Sequence, residues 1–201
     1  MALSQTRPST TSRAGIALAA LGILAVVAGC SGDPELLADL ACQEEHLPEG
    51  LERLTFGNLS RSEMGREVGA APLDEAGVEG GYFAYWKERR DSLEDDPAVE
   101  IVCQVVAFGD DGEASRFVSE LPAHADWLSV TVAGIALAEG TGLTELAAEG
   151  ARAFRLDETD GRIRYAVVVA RDRFVLSVHL GGPEGEVSVE AAVAILETMG
   201  R

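Results

Sequence analysis

From Arg162 to Leu180 apolar residues recur at every second position in two successive runs, and nothing else in the chain constrains its fold as tightly. Ile163, Tyr165, Val167 and Val169 fall on one side of the first run. Phe174, Leu176, Val178 and Leu180 fall on one side of the second, and Asp172 lies between them. A period of two is that of an extended strand, not of a helix. Two such runs joined by a short turn predict an antiparallel hairpin with one apolar face. Gly181-Gly182-Pro183 is expected to break the second strand. After Ser188, a candidate N-cap, Val189, Ala192, Val193, Leu196 and Met199 recur at helical spacing. Neither a one-faced hairpin nor a one-striped helix is stable alone in water, so the helix is expected to cover the strands.

The same order occurs upstream. Tyr82–Arg89 and Val99–Phe108 predict a second strand pair across an acidic turn, Asp91 to Pro97. Asp110 with Glu113 three residues on predicts a helix start, and Ala114, Phe117, Val118 and Leu121 its apolar stripe, closed by Pro122. Leu51–Leu59 predicts a first strand. Ser60 with Glu63 predicts a short helix that Pro72 ends, and Ala70–Gly80 reads as loop. Ala151–Asp157 predicts a strand ending in the Asp160-Gly161 turn. Trp127–Leu137 reads as a strand, and Thr141–Glu149 as a short helix. The expected class is α+β: an antiparallel sheet covered by helices, in strand–strand–helix units that form a weak pseudo-repeat.

Ahead of this domain lies a segment of different character. Arg7 and Arg13 are its only charges, Ala14–Ala28 is uncharged and largely apolar, and Val27-Ala28-Gly29-Cys30 closes it. Fifteen helical residues span roughly 22 Å, against about 30 Å of membrane hydrocarbon, which is short for a permanent span. The layout is that of a secretory signal. Its last four residues resemble the lipobox of bacterial lipoproteins. That resemblance implies a diacylglyceryl group on the Cys30 sulfur and cleavage before Cys30. It divides the chain into a signal peptide (1–29), a lipidated N-terminus, tether and short helix containing Leu36, Leu37 and Leu40 (30–46), and one globular domain (47–201). The implied location is the extracytoplasmic face of the cell membrane. The alternatives are an uncleaved anchor helix and an ordinary secretory signal in which Cys30 is incidental.

Without residues 1–29 the chain has 14 basic and 34 acidic residues, a net charge of −20. Such a body repels nucleic acid and anionic headgroups, so neither is an expected partner. Two cysteines remain, Cys42 and Cys103. In an exported protein an even pair reads as a disulfide, and two buried free thiols are the alternative. The terminal hairpin and final helix (Ser188–Gly200) also loosely resemble small actinobacterial envelope lipoproteins of the PsbP/Mog1-like sandwich type. These features are generic and carry over no functional residue.

Chemistry is sparsely marked. No GxSxG occurs, and Ser60 and Ser62 read as helix-start residues. His46, His124 and His179 are scattered singly, there is no CxxC, and no metal or cofactor is expected. Asp157, Glu158 and Asp160 only echo a calcium loop. Tyr82, Phe83, Tyr85 and Trp86 could form a stacking surface for a sugar or aromatic ligand, or pack both faces of a strand. His179 points away from the apolar side of its strand and could line a pocket. Tyr82, Tyr85, Trp86 and His179 are therefore the candidate ligand surface. A non-catalytic, anchored domain binding a ligand or protein partner is the leading reading. An envelope enzyme using His179 or His124 with carboxylates is second, and a structural accessory third.

Overall fold

The computed structural model describes residues 34–62, 64, 75–89, 99–121, 140–158 and 161–201. The two alternating runs form the expected hairpin, β6 (Arg162–Arg171) and β7 (Phe174–Pro183), with Asp172 at φ 51° in its turn. β7 continues through Gly181, Gly182 and Pro183, which do not break it. Gly181 is paired on both sides, to Glu100 and to Arg164, so the ladder outlasts the loss of side chains.

Around this hairpin lie β1 (Leu51–Ser60), β2 (Val78–Glu88), β3 (Glu100–Phe108), β4 (Gly140–Leu146) and β5 (Arg152–Glu158). All seven strands form one antiparallel sheet in the order β1-β2-β3-β7-β6-β5-β4. β3 and β7, far apart in sequence, are neighbours at its centre. Three α-helices accompany it among the described residues: α1 (Pro34–Leu40), α2 (Asp111–Ser119) and α3 (Val189–Thr198). The fold is thus predominantly β.

Two local expectations are corrected. Residues 141–146, read as the start of a helix, are β4, the sheet edge paired to β5. Backbone hydrogen bonding to an available neighbour decided this where local propensity was weak. Val78–Gly80, read as loop, open β2. The Asp91–Pro97 turn, Glu63 of the Ser60 box, Pro122, Trp127–Leu137, Asp160, His124 and the whole segment 1–33 lie outside the described residues.

The largest departure concerns the faces. One apolar face was expected, and the sheet buries two. On face one, α2 lays Ala114 and Phe117 against Phe108, Val106, Val168 and Val175, with the Phe108 and Phe117 rings 5.2 Å apart. On face two, α3 buries Ala192, Ile195 and Leu196 against the layer that contains Leu176, Val178 and Val167, and Leu37 of α1 joins the same layer. The two strand–strand–helix units therefore put their helices on opposite faces of a shared sheet. β3 is buried along nearly its whole length for this reason, and its unbroken apolar run is what burial on both faces demands.

The helix starts are as the sequence predicts. Asp110 accepts a hydrogen bond from the Glu113 N–H at 2.8 Å, and the Glu113 carboxylate accepts from the Gly109 N–H at 3.1 Å. Ser188 accepts from the Ala191 N–H. Asp110→Ala is expected to destabilise the domain by about 1 kcal/mol, the usual value of an N-cap oxygen, measured by urea unfolding. An unchanged midpoint would show that α2 does not need its cap.

Candidate functional site

The candidate ligand surface does not assemble as one surface. Tyr82 and Trp86 lie on face two of β2, whereas Tyr85 and His179 lie on face one. The sheet separates the pairs, and all four residues are buried. Alternation along β2 is the cause: neighbouring aromatics must point to opposite sides. Packing on both faces is thus the reading that holds for these residues, and no exposed stacking platform exists among them. His179, expected on an open face, is only 1% exposed.

What surrounds Tyr85 and His179 was not legible beforehand. Face one divides in two. Its half beneath α2 is apolar, and its other half carries Glu100, Arg164, Arg162, Glu158, His179, Gln104 and Ser177. Four of these close a ring. Arg164 bonds to Glu100 and, at 2.7 Å, to Glu158. Arg162 approaches the same two carboxylates at 3.3 and 3.4 Å. The Tyr85 hydroxyl donates to the other Glu100 oxygen at 2.9 Å. The four charged side chains are between 4% and 13% exposed.

Glycine makes the ring possible. Glu100 stands on β3 and Arg164 on β6, with β7 between them. Gly181 lies opposite both. A Cβ there would come within 3.2 Å of the Arg164 guanidinium carbon and 3.3 Å of Glu100 Cγ. The bare backbone lets the two side chains meet across a strand. Gly181→Val is expected to cost about 2 kcal/mol by overpacking this crossing, measured by thermal melting. A variant as stable as its parent would show that the ring has room to spare.

The electrostatics follow from burial. Desolvation would raise the Glu100 pKa, but Arg164, the Tyr85 hydroxyl and Arg162 outweigh it and hold the carboxyl below its ordinary range. Burial, then the adjacent Glu100 carboxylate, push the Tyr85 phenol well above its usual value. Burial and the positive field of Arg164 push His179 down to about 3, so its imidazole is neutral at physiological pH. A histidine held neutral this firmly cannot cycle a proton near pH 7. The charges of the ring are likewise spent on one another.

The remaining candidate residues have simpler roles. Cys42 and Cys103 form a disulfide, with Cα atoms 5.8 Å apart, and both residues are buried. Asp157 pairs with Arg155 on one face of β5, whereas Glu158 joins the ring on the other, so they do not converge as calcium ligands would. Among the described residues no group of three or more His, Cys, Asp or Glu could hold a metal ion. Likewise, no described helix is long and apolar enough to cross a membrane.

On the opposite side of the sheet a groove of about 470 Å³ opens beside the disulfide. Its walls are Glu44, Glu45, Leu47, Pro48, Glu49, Gly50 and Leu51, and Trp86 lines it from the sheet. Both ends of this wall are fastened. The Gln43 side-chain amide donates to the carbonyls of Ala38 and Ala41 at 3.0 and 3.1 Å, next to the disulfide. At the far end the Arg89 N–H donates to the Gly50 carbonyl at 3.0 Å, and Gly50 turns the chain at φ 89°. Beyond the groove, the Arg53 guanidinium lies 4.4 Å from the Phe56 ring centre and 5.4 Å from that of Trp86.

No protein-family model matches this chain, and no curated protein does. Among solved structures, the extracellular domain of PknH from Mycobacterium tuberculosis is similar. The TM-score is 0.54 at 12% identity, over 83% of this chain and 95% of that one. At such identity the likeness is one of fold.

Proposed function

We propose that this chain is an extracytoplasmic lipoprotein: a non-catalytic domain, held to the membrane through Cys30, that binds a ligand or a protein partner. The observation that carries the reading is the Cys42–Cys103 disulfide. It is buried at the start of the folded domain, and such a bond persists in an oxidising compartment rather than in the cytosol. The lipobox-like Val27–Cys30 agrees with it. So does a fold similar to the extracellular domain of a mycobacterial protein. α1 starts at Pro34, four residues after Cys30, so an extended tether reaches only about 14 Å. Two acyl chains on Cys30 would hold such a body stably at the bilayer, and its negative charge would keep it off the headgroups.

The non-catalytic part rests on the chemistry of face one. His179 is neutral and deeply buried, and Arg162, Arg164, Glu100 and Glu158 neutralise one another. Enzymatic use of His179 would need that environment dismantled.

Mass spectrometry of protein recovered from a bacterial host tests the anchor. The expected N-terminus is Cys30 carrying a diacylglyceryl thioether, and Cys30→Ala is expected to leave the membrane fraction. An intact Met1 with a free thiol at position 30 would overturn the proposal.

A further inference from the structure

β1 is an outer strand, and among the described residues no strand lies beyond it. The direction of its backbone groups follows from β2. The Glu88 N–H donates to the Val99 carbonyl, and the Arg89 N–H to the Gly50 carbonyl. Alternation along β2 then turns Tyr82, Ala84 and Trp86 toward β3, and Gly81, Phe83 and Tyr85 toward β1. Their partners Leu59, Gly57 and Thr55 bond inward, so Phe56 and Asn58 aim N–H and C=O away from the sheet. Both residues are exposed.

Such an edge accepts another strand unless charge, proline or a bulge prevents it. The first half of β1 has that protection in Glu52, Arg53 and a bulge between Arg53 and Thr55. The second half does not. Leu54–Ser60 contains neither a charge nor a proline. Leu54 and Phe56 are two of the three large apolar side chains exposed among the described residues, Phe56 at 56%. The Arg53 guanidinium, 4.4 Å from the Phe56 ring centre, restrains that ring. At the other edge β4 is shorter, is bulged between Gly140 and Gly142, and carries the charge of Glu145.

We infer that two copies of this chain pair through β1, antiparallel about a two-fold axis at Gly57. The two outward residues fix the register: Phe56 of each copy exchanges both main-chain hydrogen bonds with Asn58 of the other. The same register lays the uncharged Leu54–Ser60 window against itself. Two bodies of strong negative charge repel, and here they meet without setting like charges opposite one another. Gly57 faces Gly57 at the axis, where paired strands come closest, and the two Phe56 rings become diagonal neighbours within aromatic reach. A charged foreign segment would find no counter-charge on this window, so a second copy is the occupant that the edge fits. Direction agrees with this. The axis of an antiparallel pair is normal to the sheet, so face two, with α1 upon it, lies on the same side in both copies. Both chains then enter from one side, as two copies held in one bilayer must. That consequence rests on the anchor, whereas the pairing does not.

The test places the photoreactive residue p-benzoylphenylalanine at position 56 of the full chain, oxidised, in non-ionic detergent. Irradiation is expected to join two copies, with mass spectrometry locating the bond within residues 54–60 of the second. The same probe in place of Glu190, exposed on α3, should join none. The concentration at half-maximal joining reports affinity. Asn58→Pro deletes half of the main-chain bonds between copies and none within the sheet, so it should weaken pairing by about tenfold. For variants that alter position 56, sedimentation gives the affinity, and Phe56→Glu, which brings two carboxylates together, should weaken it at least as much. Both variants should keep the parent's melting temperature, and Phe56→Glu decides alone if Asn58→Pro does not fold. Added salt should strengthen pairing by screening the repulsion between the bodies. The inference is overturned if no joined pair forms, if its bond lies elsewhere, or if the Glu190 probe joins copies as well. It is also overturned if the folded variants pair as the parent does, if salt weakens pairing, or if irradiated host cells join position 56 to another protein instead. An unprocessed N-terminus would overturn the anchor and leave the pairing standing.

Discussion

Arg164→Ala is expected to lower the folding free energy by about 3–5 kcal/mol, the cost of leaving buried carboxylates without their partner. Glu100 and Glu158 both bond to this guanidinium, and both are largely out of water. Arg162 remains nearby, but at 3.3 and 3.4 Å its contacts are longer. In a domain of this size the melting temperature should fall by roughly 10 °C. The intact ring is not for that reason a large net source of stability, because desolvating four charges offsets most of their attraction. A triple variant, R164A/E100Q/E158Q, is therefore expected to recover part of the loss. Urea unfolding at pH 7 measures both. A single variant within about 1 kcal/mol of its parent would mean that water already reaches these carboxylates.

The same ring sets the acid response. Glu100 has a lowered pKa, so its contribution is present above its unfolded value and fades as pH falls through the folded one. His179 is lowered from 6.5 to about 3. Between those values the unfolded chain takes up a proton that the folded chain refuses, so stability again falls as pH drops. Both groups make the domain more stable near neutrality than in acid. Without Arg164, which lowers both pKa values, the stability profile should change shape across that interval.

Removing the disulfide, as Cys42→Ala/Cys103→Ala, is expected to cost about 4 kcal/mol in the chain-entropy view, given a separation of 61 residues. The structural consequence should be local as well as global. α1 has seven residues, too few to form a helix alone, and Leu37 is its one buried residue. The bridge at Cys42 is what fastens this segment and the adjoining groove wall to β3. Amide exchange across Leu37–Leu40 should therefore accelerate more than exchange across β3. A double variant that melts with its parent, with α1 amides still protected, would show that packing alone holds the segment.

The parts of the fold legible in advance share one property: their signal is local. The β6–β7 hairpin could be read from Ile163 to Leu180 because strand period and turn lie within eighteen residues. The caps at Asp110 and Ser188 were readable because a cap satisfies N–H groups two or three residues away. The pairing of Cys42 with Cys103 followed from there being just two candidates beyond Cys30. β4 was misread because an edge strand takes its conformation from its neighbour, and Gly140–Leu146 holds little of that information itself. Of the site, Trp86 was singled out in advance, but as part of a surface that the alternation of β2 forbids.

The sequence by itself determined where strands and helices start and turn, because propensity, capping and hydrophobic period act over a few bonds. It also determined a net negative body with two cysteines to spare. Tertiary structure alone decided that β3 and β7 are neighbours, and that consequence reaches furthest. It puts Glu100 and Arg164 on either side of Gly181, buries His179, and turns the polar face of the hairpin into the second face of a core. Charges 64 positions apart become partners only when the sheet closes, and no local pattern records that meeting.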